Sequence, residues 1–125
     1  MLLDTDVLID LERRHPAADA WLSGLAVVPD VPGFAAMELL NGCRSKTEWR
    51  SVDRFLKPFP ICWSTEADMN RALREFTGFR LSHGLGLIDA LIAMMALGRG
   101  EPLATFNTRH FQAVPGLILV QPYTR

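Results

Sequence analysis

Nothing in this 125-residue sequence approaches the ~20 consecutive apolar residues of a membrane span. Asp4 interrupts the apolar start Met1-Leu2-Leu3 at once, so the long apolar stretch of a signal peptide is missing too. The chain is therefore expected to be soluble and cytoplasmic, with no membrane partner. An excess of positive charge is also lacking: 13 Lys and Arg stand against 14 Asp and Glu, for a net charge of -1. A protein that relied on general phosphate attraction would carry a basic footprint, so any nucleic acid must be held locally. Cysteine is scarce, and Cys43 and Cys62 show neither CxxC nor Cys/His spacing. That excludes an ordinary zinc site and points to reduced, buried thiols. No repeat, low-complexity tract or linker breaks the chain.

What is present suits one ordinary core: 49% of residues are apolar and 22% charged. A single domain over residues 1–125 is expected, since a chain this short cannot bury two. Leu2-Leu3 reads as a short buried strand, and the spacing of Val7, Leu8 and Leu11 predicts a helix over Thr5–Arg14 with Thr5 as a cap. Pro16 starts a second helix that Gly24 ends. Ala26-Val27-Val28 reads as a second strand and Pro29–Gly33 as a turn. Helices are predicted over Phe34–Arg44 and Thr47–Leu56, with Ile61–Trp63 as a third strand. Ser64 or Thr65, followed by Glu66 and Asp68, marks the start of a long helix that frays near Gly78 or continues towards Ser82. Leu87–Leu97, apolar nearly all round, predicts a helix buried on most sides. Pro102–Phe106 and Leu117–Val120 are the last two strands, joined through Asn107–Phe111. Strands alternating with helices imply an α/β fold, with helices on both faces of a central, mainly parallel sheet of four to five short strands.

Three acids stand out against this pattern. Asp4 falls at the carboxyl end of the first strand, where open α/β sheets gather ligands, and Asn107 falls at the corresponding end of the fourth. Glu38 and Asp89 are the single acidic residues of helices that are otherwise mostly apolar. A buried carboxylate is expensive unless a cation or several hydrogen bonds compensate it. Taken singly, Asp4 can be a turn residue, Glu38 a surface ion-pair partner and Asp89 a helix cap. Together, with no obvious basic partner inside those helices, they favour a hard divalent ion with oxygen ligands, such as Mg2+ or Mn2+. Such an ion can activate water and stabilise charge on a phosphodiester.

The same residues carry a resemblance. Leu3-Asp4-Thr5-Asp6-Val7-Leu8-Ile9 resembles the opening of PIN domains. Ala36-Met37-Glu38-Leu39-Leu40-Asn41-Gly42 resembles their second acidic motif, and Ile88-Asp89-Ala90-Leu91-Ile92-Ala93 the third. Ala104-Thr105-Phe106-Asn107-Thr108-Arg109-His110-Phe111 resembles the fourth. Their order and spacing span nearly the whole chain and are similar to stand-alone VapC-like toxins. The resemblance implies a PIN fold, a three-layer α/β/α sandwich, and a Mg2+ or Mn2+ dependent endoribonuclease of a type II toxin-antitoxin system. It also implies an RNA substrate, a small VapB-like antitoxin and a homodimer. Asp4, Glu38 and Asp89 match the metal-holding, catalytic acids. Thr5 and Thr105 match supporting hydroxyl positions, and Asp6 a variable polar one. Asn107 falls where many relatives carry another acid or an asparagine, and it brings no charge.

Arg44, Lys46, Arg50, Arg54 and Lys57 concentrate positive charge after the Glu38 helix. Arg44, Lys46 and Arg50, with Arg109 beyond Asn107, are the candidate RNA contacts. Two alternatives stand beside the toxin: a PIN nuclease in RNA processing, and a non-catalytic PIN-like binding module, against which the intact acids speak. A phosphoryl-accepting receiver domain would need paired acids after its first strand, a mid-chain Asp after another strand and a late Lys. No lysine follows Lys57 here.

Overall fold

Adjacent residues of a strand point to opposite faces, and in β1 (Leu2–Leu3) and β4 (Leu103–Ala104) both residues are fully buried. The sheet they form is therefore covered on both sides, the three-layer arrangement expected from the sequence. The computed structural model describes residues 1–125. Its order is β1, α1 (Thr5–Glu12), α2 (Pro16–Ser23), β2 (Val31–Pro32), α3 (Gly33–Asn41), α4 (Lys46–Leu56), β3 (Ile61–Cys62), α5 (Glu66–His83), α6 (Leu87–Arg99), β4, α7 (Thr108–Phe111) and β5 (Leu119–Val120).

All strand pairs are parallel. β1 pairs with β4 and β4 with β5, while β2 pairs with β3. The two ladders meet where Leu3 N donates to Asp30 O at 3.0 Å and Asp30 N donates to Met1 O at 2.9 Å. Read across, the strand order is β3-β2-β1-β4-β5. The chain thus builds outward from β1 on one side and returns to its other side with β4. Such a reversal leaves a crevice at the carboxyl ends of the two central strands. At the opposite edge, the Met1 amino group and Arg99 Nε both bind Glu101, at 2.8 and 2.6 Å, and Arg99 Nη2 reaches Asp30 at 3.0 Å.

Helix α6 runs through the interior: Ala90, Ile92, Ala93, Met95 and Ala96 are fully buried and Met94 nearly so. It packs against α5 and α3, and α3 against α1. Helix α5 continues past Gly78 to His83 and stops at Gly84, whose φ of 70° lies in the left-handed region. Thr65 caps its start in a capping box with Asp68.

Three expectations need correction. The second strand is Val31–Pro32, not Ala26–Val28. Val27 and Val28 are exposed, whereas Val31 is fully buried and its N–H donates to Pro60 O at 2.8 Å, so burial overrides β propensity. Pro32 is compatible with this strand because it takes the last paired position, beside Cys62. The link after β4 forms the short helix α7 rather than a plain connection. Finally, Asp4, not Thr5, caps α1: its side chain accepts from Thr5 N, and Thr5 is already helical.

Candidate metal centre

Asp4 directly follows β1 and Thr105 directly follows β4, and the parallel pairing of the two strands places them side by side: Asp4 N donates to Ala104 O at 3.0 Å. Asp4 is 3% exposed. Its Oδ1 accepts from Thr5 N at 2.8 Å and its Oδ2 from the fully buried Thr105 hydroxyl at 2.7 Å. The same Thr105 oxygen accepts from Asn107 N at 3.0 Å, so one hydroxyl orients both the acid and the start of the loop after β4.

Asp6, one turn position along α1, reaches across the same gap. Its Oδ2 accepts from Phe106 N at 2.9 Å and lies 3.4 Å from Thr105 Oγ1, while Oδ1 accepts from Val7 N at 2.7 Å. Glu38 comes from the middle of α3, and its Oε1 accepts from Thr5 Oγ1 at 2.7 Å. Glu38 is exposed, so the argument from the cost of burial does not apply to it. Asp89 stands in the first turn of α6, with its carboxylate folded back over Gly86. A side chain at Gly86 would place its Cβ 3.3 Å from Asp89 Oδ2, which gives glycine a reason to be there.

The electrostatics are those of uncompensated negative charge. Burial, then the charges of Asp6 and Asp89, push the Asp4 carboxyl from 3.8 up to about 7 against the lowering pull of its hydrogen bonds. Burial likewise raises Asp6, offset by the Phe106 and Val7 amides and by the Arg125 charge. Asp89 is raised by burial and then by Glu38 and Asp6, with His110 acting the other way. No Lys or Arg side chain forms an ion pair with any of these four acids.

The acids therefore lie within electrostatic reach of one another, but they do not form a ready-made cage. No three His, Cys, Asp or Glu side chains come close enough together to hold a metal ion as they stand. Each acid instead turns to a local hydroxyl or amide donor. In chemistry and charge the set nonetheless suits a hard divalent cation: oxygen donors, a raised Asp4 and no competing ammonium or guanidinium bound to them. Asn107 sits at the start of α7 with no side-chain cap bond.

Beside Glu38 a cleft of about 480 Å³ opens between α1, α3 and α4, lined among others by Arg13, Leu39, Arg44 and Glu48. Arg44, Lys46, Arg50 and Arg109 are all exposed. None of them is tied up in a salt bridge.

The family model described as PIN domain matches residues 1–117. The chain belongs to the PIN-domain family. Its fold is shared with solved relatives over nearly its full length. A toxin-antitoxin complex from Klebsiella pneumoniae contains a chain 27% identical, with TM-score 0.78, covering 99% of this chain and 98% of that one. VapBC2 from Rickettsia felis, solved bound to a DNA fragment from its promoter, matches with TM-score 0.81 at 23% identity, over 95% of this chain and 96% of that one. FitAcB from Neisseria gonorrhoeae matches with TM-score 0.76 at 22% identity, over 97% and 96% of the two chains. A search of curated proteins gives no match.

Within this PIN domain, sequence reading missed one group that contacts the acidic edge. Arg125 and Tyr123 fold back onto α1, where both bind Asp10. The sequence signal is faint: Tyr123 is the only tyrosine and Arg125 the last cation, both beyond β5 and just after Pro122.

Proposed function

We propose that this PIN domain is the toxin of a type II toxin-antitoxin pair, a Mg2+ or Mn2+ dependent endoribonuclease whose partner is a small VapB-like antitoxin. The observation that carries the reading is Asp4: a buried carboxylate at the sheet's reversal point, with Asp6 and Asp89 in electrostatic reach and no basic side chain to neutralise it. Asp4 and Asp89, with Glu38, would hold the ion. Bound there, the metal supplies water activation and neutralises charge on the phosphodiester under attack.

The remaining work falls to the chain. Thr105 fixes the rotamer of Asp4, and Thr5 holds Glu38 towards it. Arg44, Lys46, Arg50 and Arg109 are free to contact RNA phosphates along the cleft and beyond Asn107. For self-association into a homodimer, exposed Met37, Ile61 and Trp63 surround an apolar hollow of about 320 Å³ between α3 and β3. The toxin reading draws support from the Klebsiella pneumoniae relative, a toxin-antitoxin complex. No helix is long and apolar enough to cross a membrane, which accords with a protein acting on RNA in the cytoplasm.

Asp4→Asn tests the reading. The variant is expected to fold and to lose Mn2+ dependent RNA cleavage, and expression of the parent, but not the variant, should arrest growth. Sequencing the 5' ends of RNA after brief expression names the substrate. A variant that cut as fast as the parent would remove the metal assignment.

A further inference from the structure

The last residues of the chain form a strap across the first helix. Tyr123 Oη donates to Asp10 Oδ2 at 2.9 Å, and its ring lies edge-on to Phe106, with centroids 4.9 Å apart, and stacks on His15. Arg125 grips both oxygens of Asp10: Nε reaches Oδ2 at 2.9 Å and Nη2 reaches Oδ1 at 3.0 Å. Nη2 also lies 3.4 Å from Asp6 O, and the guanidinium carbon sits 4.4 Å from the centre of the Phe106 ring. One planar group thus holds the carboxylate of Asp10, the carbonyl of Asp6 and the aromatic face of Phe106. The Phe106 amide is the donor that holds the Asp6 carboxylate, at 2.9 Å.

We propose that Arg125, seated by Tyr123, is a positioning residue for the acid pair Asp4 and Asp6, clamping the first turns of α1 against the loop that follows β4. Asp6 and Phe106 are joined by one hydrogen bond, and Arg125 bridges the same two segments a second time from outside. The acids and their donors sit on the two sides of the seam that this bridge closes: Asp4 and Asp6 at the start of α1, and Thr105 and Phe106 in the loop just after β4. Opening the seam lengthens the bonds from Thr105 and Phe106 and lets the carboxylates rotate. Arginine suits the task because its rigid fork binds a carboxylate through two nitrogens while its flat face covers a ring. Outer contacts of this kind commonly alter metal affinity by about 10- to 100-fold.

The role of this clamp in catalysis rests on the nuclease reading; its geometry does not. The test therefore uses two readouts on the full chain: amide hydrogen exchange at Phe106 and the Mn2+ concentration that gives half-maximal RNA cleavage. Arg125→Gln is expected to speed Phe106 exchange by roughly tenfold while the Leu3 amide, which bonds to Asp30 on the β2 side of β1, stays protected. The Mn2+ requirement should rise by about tenfold, and Arg125→Lys should fall between parent and Arg125→Gln. If Arg125→Gln lowers the protection of all core amides together, Tyr123→Phe decides: it removes one bond to Asp10, and Phe106 must still loosen selectively. Parental values at Phe106 and for Mn2+, or uniform loosening in both variants, overturn the proposal. Absence of Mn2+ dependent cleavage by the parent instead overturns the nuclease reading, and Phe106 exchange then still decides the clamp.

Discussion

Thr105 Oγ1 donates to Asp4 Oδ2 at 2.7 Å, although 101 positions separate the two residues. Thr105→Val keeps the shape but removes the hydroxyl, stranding a buried carboxylate oxygen and the Asn107 amide. The expected result is a loss of cleavage of about 10- to 100-fold. Stability should fall by roughly 1–3 kcal/mol, the cost of buried polar groups left without partners. Thr105→Ser should restore both. Steady-state cleavage and thermal melts of the three proteins provide the check, and a fully active valine variant would contradict this role.

The Asp4 carboxyl, raised from 3.8 to about 7, sets the pH dependence of the metal-free protein. Between about pH 4 and pH 7 the unfolded chain has released this proton while the folded one retains it, so stability falls as pH rises. The full contribution is present below the unfolded value and lost through the folded one. Each unit corresponds to roughly 1.4 kcal/mol, so on the order of 4 kcal/mol is at stake. Asp6 and Asp89, also raised, act in the same direction. Asp10 and Glu101, lowered by their cations, act oppositely and weaken the fold only in more acid solution. Asp4→Asn should flatten the decline and stabilise the metal-free protein at neutral pH, and Mn2+ should stabilise the parent more than the variant. Denaturant unfolding across this range measures it; parallel curves for the two proteins would refute the account.

Exposed arginines that meet RNA phosphates leave a signature in salt. Arg44 lines the cleft beside Glu38, and Arg50 lies exposed on the following helix. With cleavage blocked by Asp4→Asn, replacing both by Gln should reduce the slope of log affinity against log salt by about 1.4, at roughly 0.7 per lost contact with single-stranded RNA. An unchanged slope would return both residues to the solvated surface.

Much of this was legible in sequence because it depended on local patterning. The alternation of strands and helices, the interior character of α6 and the placement of Asp4 at a strand end all follow from apolar spacing and turn residues. The second strand departs from the β propensity of Val27 and Val28, which have the right side chains in the wrong place; the bridge from Asp30 to β1 shows which stretch is buried. The apolar neighbours of Glu38 in sequence suggest burial, yet it lies on the exposed side of α3, held by Thr5 rather than by a surface cation. Asp6 and Arg125 were harder still. Their roles depend on Phe106 and Asp10, partners about a hundred positions away, and no periodicity records such contacts.

The central position of β1 also governs when the acidic edge can exist. The β2 side of the first strand is filled by a stretch about thirty residues away, whereas its other side needs β4, about a hundred residues on, and the Asp10 anchor needs Tyr123 and Arg125. A nascent chain carries Asp4 without the hydroxyl that orients it. Contacts of such high sequence separation carry a larger closure cost than local ones, so the acidic edge takes shape only once β4 has joined β1, however early helix α1 has formed.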